Sequence, residues 1–228
     1  MQAKGQTLFT EASDADADPA NQLVVLKMHF QSVLDTIRTK GDVRYHMYFA
    51  IDANEQPLAR RADKVLAAAQ KMAKGYPMDV TLLKHNSLKC LTQMFNFVTW
   101  KAYKDGHDYF ALLNDDIRLD AGWSEAALMA LRGNPFMRDF GIAGPWEYWH
   151  GLKSECTQFP MFSRLHVDIM LSKPGRGVFC DEEAFCSYGL DTAVCNMYVP
   201  FSSSFYLADL TLYATRKPRL CFAKLDLT

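Results

Sequence analysis

The sequence predicts an α/β domain on a mostly parallel, doubly wound central sheet flanked by helices. Three observations lead there. Strand-like and helix-like stretches alternate three times with short links, the pattern of right-handed βαβ units. Tyr109 to Leu113 is an unbroken apolar run of strand length, as expected of a strand covered on both faces. That run stops abruptly at Asn114-Asp115-Asp116, and open α/β sheets hold their ligand crevice at the carboxyl ends of strands. With 228 residues, 49% of them apolar, the chain can fill the core of one such domain.

The elements follow in order. Residues 1–20 are polar and acidic, with Asp14, Asp16 and Asp18 alternating with alanine, and read as a mobile loop after a short strand from Gln6 to Phe9. Pro19 opens an amphipathic helix with Leu23, Leu26, Phe30, Val33, Leu34 and Ile37 on one face and Gly41 as its stop. Arg44 to Ile51 is a strand ending at Asp52. Pro57 to Lys74 is a helix with proline near its start and Gly75 after its end. Met78 to Leu83 is the next strand, and Leu88 to Tyr103 a helix facing inward with Leu91, Met94, Phe95, Val98 and Ala102. Beyond the acidic step come a helix from Ser124 to Leu131 and a strand from Phe140 to Ala143. An aromatic loop, Gly144 to Gly151, follows, then a strand from Gln158 to Phe162. Arg164 to Met170 reads as helical, Lys173 to Gly177 as a basic turn. Tyr188 to Met197 is a helix with Asp191 in its first turn, and Phe205 to Tyr213 a final strand. No repeat or low-complexity linker divides the chain, so residues 1–228 are expected to form one domain, whole or cut from a longer polypeptide.

Composition excludes several functions. A net charge of −1 offers no general attraction to nucleic acid or a membrane surface. No apolar run approaches the ~20 residues of a membrane span, and no signal peptide is recognisable. Six scattered cysteines without a Cys-x-x-Cys pair read as reduced core thiols in the cytoplasm.

Two adjacent carboxylates at the end of a core strand are costly without compensation, which suggests a bound cation. Asp115 and Asp116 also suit a solvated loop that caps the next helix. Leu112-Leu-Asn-Asp-Asp-Ile-Arg-Leu-Asp-Ala-Gly-Trp123 resembles the DxD-type segment of GT-A glycosyltransferases. The likeness is to family 2 and its relatives in algae and large algal viruses, the chlorovirus-type capsid glycosylation enzymes. The resemblance implies a GT-A fold and a Mn²⁺ or Mg²⁺ ion held against the diphosphate of a nucleotide sugar. By position Asp116 is the direct metal ligand and Asp115 assists with metal or ribose. Asn114 stands where the family carries its first acidic residue.

The same resemblance extends to other residues. Asp52 ends a strand that in the family presents a carboxylate to the base or ribose; its usual Gly-Ser continuation is missing here. Lys84, His85, Asn86 and Lys89 lie at a helix start beside the nucleotide, where Lys89 would neutralise phosphate. Asn96 aligns loosely with a family asparagine. Val178 to Cys195 resembles the block that carries the catalytic base; Leu190 occupies the usual glutamate position, so Asp191 inherits the role. Trp146, Glu147, Tyr148, Trp149 and His150 would border the acceptor, and Arg164, His166 and Asp168 resemble an Arg-x-His-x-Asp-Ile segment, in which Arg164 or His166 would contact diphosphate or acceptor. The expected function is a metal-dependent inverting glycosyltransferase. It would move a sugar from a UDP- or dTDP-linked donor to a hydroxyl of a glycan or glycoprotein. The alternatives are a non-catalytic sugar- or nucleotide-binding module and a sugar-phosphate nucleotidyltransferase.

Overall fold

The computed structural model describes residues 26–37, 43–54, 59–86, 90–114, 117–147, 157, 159–173, 177–181, 183–186, 189–214 and 221–223. The strand expected at Gln6 to Phe9 lies outside them, as do Lys89, Asp115, Asp116 and Trp149.

The protein is α/β. Among the described residues eight strands form one sheet: β1 (Tyr45–Asp52), β2 (Met78–His85), β3 (Tyr109–Asn114), β4 (Ile117–Arg118), β5 (Ile142–Glu147), β6 (Met161–Ser163), β7 (Ser204–Ala214) and β8 (Cys221–Ala223), in the order β2-β1-β8-β3-β6-β5-β7-β4. Six α-helices among the described residues accompany it: α1 (Gln31–Thr36, entered through a π-helical turn at Leu26–Phe30), α2 (Ala62–Ala73), α3 (Leu91–Lys104), α4 (Trp123–Arg132), α5 (Arg164–Leu171) and α6 (Leu190–Tyr198).

Strand alternation explains the double winding. Tyr45, Met47, Phe49 and Ile51 of β1 and Tyr109, Ala111 and Leu113 of β3 pack with α1, α2 and α4. Tyr48, Ala50, Phe110 and Leu112 point the other way and pack with α3, α5 and α6. Both faces are covered, so β3 has no position for a polar residue until Asn114. In α2, Ala62, Val65, Ala68, Ala69 and Ala73 form the buried stripe at helical spacing.

The expected mostly parallel sheet is corrected to a mixed one. β1 pairs with β2 and β5 with β7 in parallel, whereas β8, β6 and β4 run against their neighbours. Strands β1, β2, β3, β5 and β7 therefore share a direction, and the short β8 and β6 are inserted between them. The stretch expected as an aromatic loop continues β5 as far as Glu147. Its ladder with β7 shifts register between Pro145 and Trp146, and such an irregularity accommodates a proline that has no N–H to donate. The reduced-thiol expectation is corrected at Cys195, which is disulfide-bonded. Among the described residues no helix is long and apolar enough to cross a membrane.

Candidate functional site

The five co-directed strands finish along one edge of the sheet. Asp52 ends β1, His85 ends β2 opposite it in register, Asn114 ends β3, and Glu147 ends β5. Across β8, Ala50 and Asn114 both face Cys221, so Asn114 and the residue two before the end of β1 stand two strand spacings apart, about 10 Å.

A polar turn caps the first two strands. Asp52 Oδ1 accepts from the backbone N–H of Asn54 at 2.9 Å and from its Nδ2 at 3.1 Å. Asn54 Nδ2 also donates to Asn86 Oδ1, joining the ends of β1 and β2. His85 stacks on Phe97 with ring centroids 4.2 Å apart, which turns it toward α3.

The acidic step has fixed residues on either side. Before it, Leu112 to Asn114 pair with β8. After it, the Ile117 carbonyl meets His29 Nδ1 at 3.2 Å, and the Leu119 N–H donates to Ser32 Oγ at 3.3 Å. Burial pushes the His29 imidazole down to about 4, with the Ile117 bond a smaller opposing effect, so it is neutral at pH 7. The Gly-Trp of the same segment is architectural. Gly122 takes φ +82 at the start of α4, and buried Trp123 donates its indole N–H to Thr36 Oγ1 at 3.3 Å. Polar residues of α1 and its entry turn thus hold the chain immediately past Asp116.

Asp191 sits in the first turn of α6 and is partly exposed. Thr92, in the first turn of α3, donates its N–H to the Cys186 carbonyl at 2.9 Å, so the turn leading into α6 lies at the carboxyl edge. Tyr198, at the other end of α6, meets Phe140 just ahead of β5. Asp191 therefore belongs to the same edge as Asp52 and Asn114.

Asn96 holds that approach in place. Its Oδ1 accepts from the N–H groups of Phe179 at 2.9 Å and Cys180 at 3.2 Å, and its Nδ2 donates to the Cys180 carbonyl at 2.9 Å. Gly177 packs so closely that a Cβ there would fall 1.9 Å from Asn96 Nδ2.

Two expected ligand residues are corrected. His166 is 1% exposed, and its ring nitrogens meet the Tyr198 hydroxyl and, at 3.1 Å, the Phe179 carbonyl. Burial lowers it to about 4, the Phe179 bond partly opposing, which makes it a neutral core histidine. Arg164 is at the opposite edge, where its guanidinium donates to the carbonyls of Tyr103 at 3.2 Å and His107 at 3.3 Å and lies over the Tyr103 ring. Trp146 and Glu147 have their backbone in β5, with side chains outside the described residues.

A cavity of about 310 Å³ also lies at the opposite edge, lined by Arg132, Arg138, Asp139 and Arg164 among others. Its charges are engaged with protein groups. Arg132 Nε donates to the Tyr109 hydroxyl at 3.1 Å, that hydroxyl donates to Asp139, and Arg138 stands 3.4 Å from Asp139. The chain matches no model of a known protein family, no curated protein and no solved structure.

Proposed function

We propose that the protein is a metal-dependent inverting glycosyltransferase of GT-A type that uses a UDP- or dTDP-linked sugar. The arrangement supporting this reading is the shared carboxyl edge. Asp52, Asn114 and the first turn of α6 belong to it, and Asp115 and Asp116 follow Asn114 in the sequence.

Among the described residues no three His, Cys, Asp or Glu side chains gather around a common point. The proposed donors, Asp115 and Asp116, are hard carboxylate oxygens, and their chemistry suits Mg²⁺ or Mn²⁺, which completes its shell from phosphate and water. Bound there, the cation would act as a Lewis acid on the departing diphosphate. The chain's own residues supply the rest. The Asp52–Asn54–Asn86 turn would take the base or ribose. Asp191 would accept the proton of the glycan or glycoprotein hydroxyl as it attacks the anomeric carbon.

The deciding experiment is release of nucleoside diphosphate from a panel of nucleotide sugars, with and without Mn²⁺. Asp116→Ala should lower metal-dependent release at least ~100-fold at unchanged melting temperature. Equal release by the variant and the parent would remove the reading. Leu190, in the position of the family's glutamate, is buried in the core, which favours a non-catalytic binding module as the second reading. Donor binding without turnover across several acceptors would select it.

A further inference from the structure

We propose that Cys90 and Cys186 are a redox modification site, a thiol pair that a peroxide closes to a disulfide, fastening the approach to α6 onto the start of α3. The two come from segments far apart in sequence, yet Cys90 Sγ donates to the Cys186 carbonyl at 3.1 Å. Thr92 donates its N–H to the same carbonyl at 2.9 Å, which fixes the Cys186 backbone against the helix start. The Cys186 side chain also lies close enough to raise the Cys90 thiol. Neither cysteine is in a disulfide; Cys90 is buried and Cys186 exposed.

That asymmetry sets the order of events. Burial, and next the neighbouring Cys186 side chain, raise the Cys90 thiol above its ordinary range, so it stays protonated and shielded. Cys186 meets the oxidant. Its thiolate attacks the O–O bond, becomes a sulfenic acid and releases hydroxide. The Cys90 sulfur then attacks the sulfenic sulfur, loses its proton, and water departs. Two thiols and one hydrogen peroxide give one disulfide and two waters. A disulfide needs sulfurs about 2.05 Å apart, and rotation of the exposed Cys186 side chain supplies the approach. Asn96, six residues beyond Cys90 along α3, already clamps Phe179 and Cys180 by hydrogen bonds. The link would add a covalent tie to that contact.

The inference stands independently of the transferase reading, because its test reads mass and not turnover. The reduced full-length chain is titrated with hydrogen peroxide, alkylated, digested without reductant and mapped by mass spectrometry. A peptide joining Cys90 to Cys186, cleaved by dithiothreitol, is expected. The melting temperature should rise by several degrees, since a long loop is closed. In Cys90→Ser, and separately in Cys186→Ser at the exposed position, both signals should disappear. Either of two results overturns the proposal: Cys186 accumulating as sulfinic acid while Cys90 still alkylates, or both thiols surviving peroxide that oxidises the exposed Met129.

Discussion

The two edges of the sheet handle charge in opposite ways. At the amino edge several charged groups meet other protein groups. Arg132, Tyr109 and Asp139 form one chain, and Arg164, Tyr103 and Asp168 another. Close by, burial alone would raise the Asp105 carboxyl, but hydrogen bonds from Lys101 and Tyr48 outweigh it and hold it below the usual carboxylate range. At the carboxyl edge the short side chains of Asp52, Asn54 and Asn86 join in a local turn. Long cations folded back onto carbonyls and rings make a surface that is already neutralised. Short side chains held in a turn present carboxylate and amide oxygens at the carboxyl edge instead of long cations. That contrast, more than cavity volume, favours the carboxyl edge over the cavity at the amino edge as the proposed site.

Acid should break both halves of the comparison at once, with the largest effect. His29 anchors the chain after the acidic step, and His166 ties α5 to α6. Each is held at about 4 when folded against 6.5 when exposed. The unfolded chain therefore binds more protons between those values. The stability conferred by neutral burial is complete above about 6.5 and is lost as pH falls toward 4, on the order of 3 kcal/mol for each histidine. Urea midpoints at pH 7 and pH 4.5 measure it; equal midpoints would contradict the burial. Asn96→Ala separates the edges. It leaves two N–H groups and a carbonyl without their partner near α6, and should cost about 3 kcal/mol of unfolding free energy. Arg164→Ala is the counterpart at the amino edge. Losing two hydrogen bonds and a ring contact should cost about 1–2 kcal/mol while nucleoside diphosphate release is unchanged. A fall in release with normal stability would return Arg164 to the site.

Periodicity made the core legible. The inward stripe of α3 and the double burial of β3 are the positions read from spacing alone. The misses have physical causes. β8 is three residues between basic and proline-bearing flanks, too short for any period, and its place is set by partners distant in the chain. β5 runs through Gly144-Pro145, which reads as a loop unless the register shift against β7 is known. His166 looked available because a polar residue in an apolar helix signals either a ligand or a satisfied core group. Only the Tyr198 hydroxyl and Phe179 carbonyl decide between them. Arg164 shares a motif with it, but a helix that starts at the amino edge points its first residue away from the acidic step. Asn96 carried a readable signal: a fully polar amide on an otherwise inward-facing helical stripe needs a backbone segment to bind.

The insertion of β8 between β1 and β3 has a consequence for how the molecule is made. β1 and β3 meet only through a strand synthesised long after both. While the ribosome is still translating, each leaves an unsatisfied ladder exposed, a template for pairing with another chain. Closing such a distant seam carries a large loop-entropy cost before any contact rewards it. Folding should thus finish late, and a nascent chain stalled before residue 221 would be prone to aggregate.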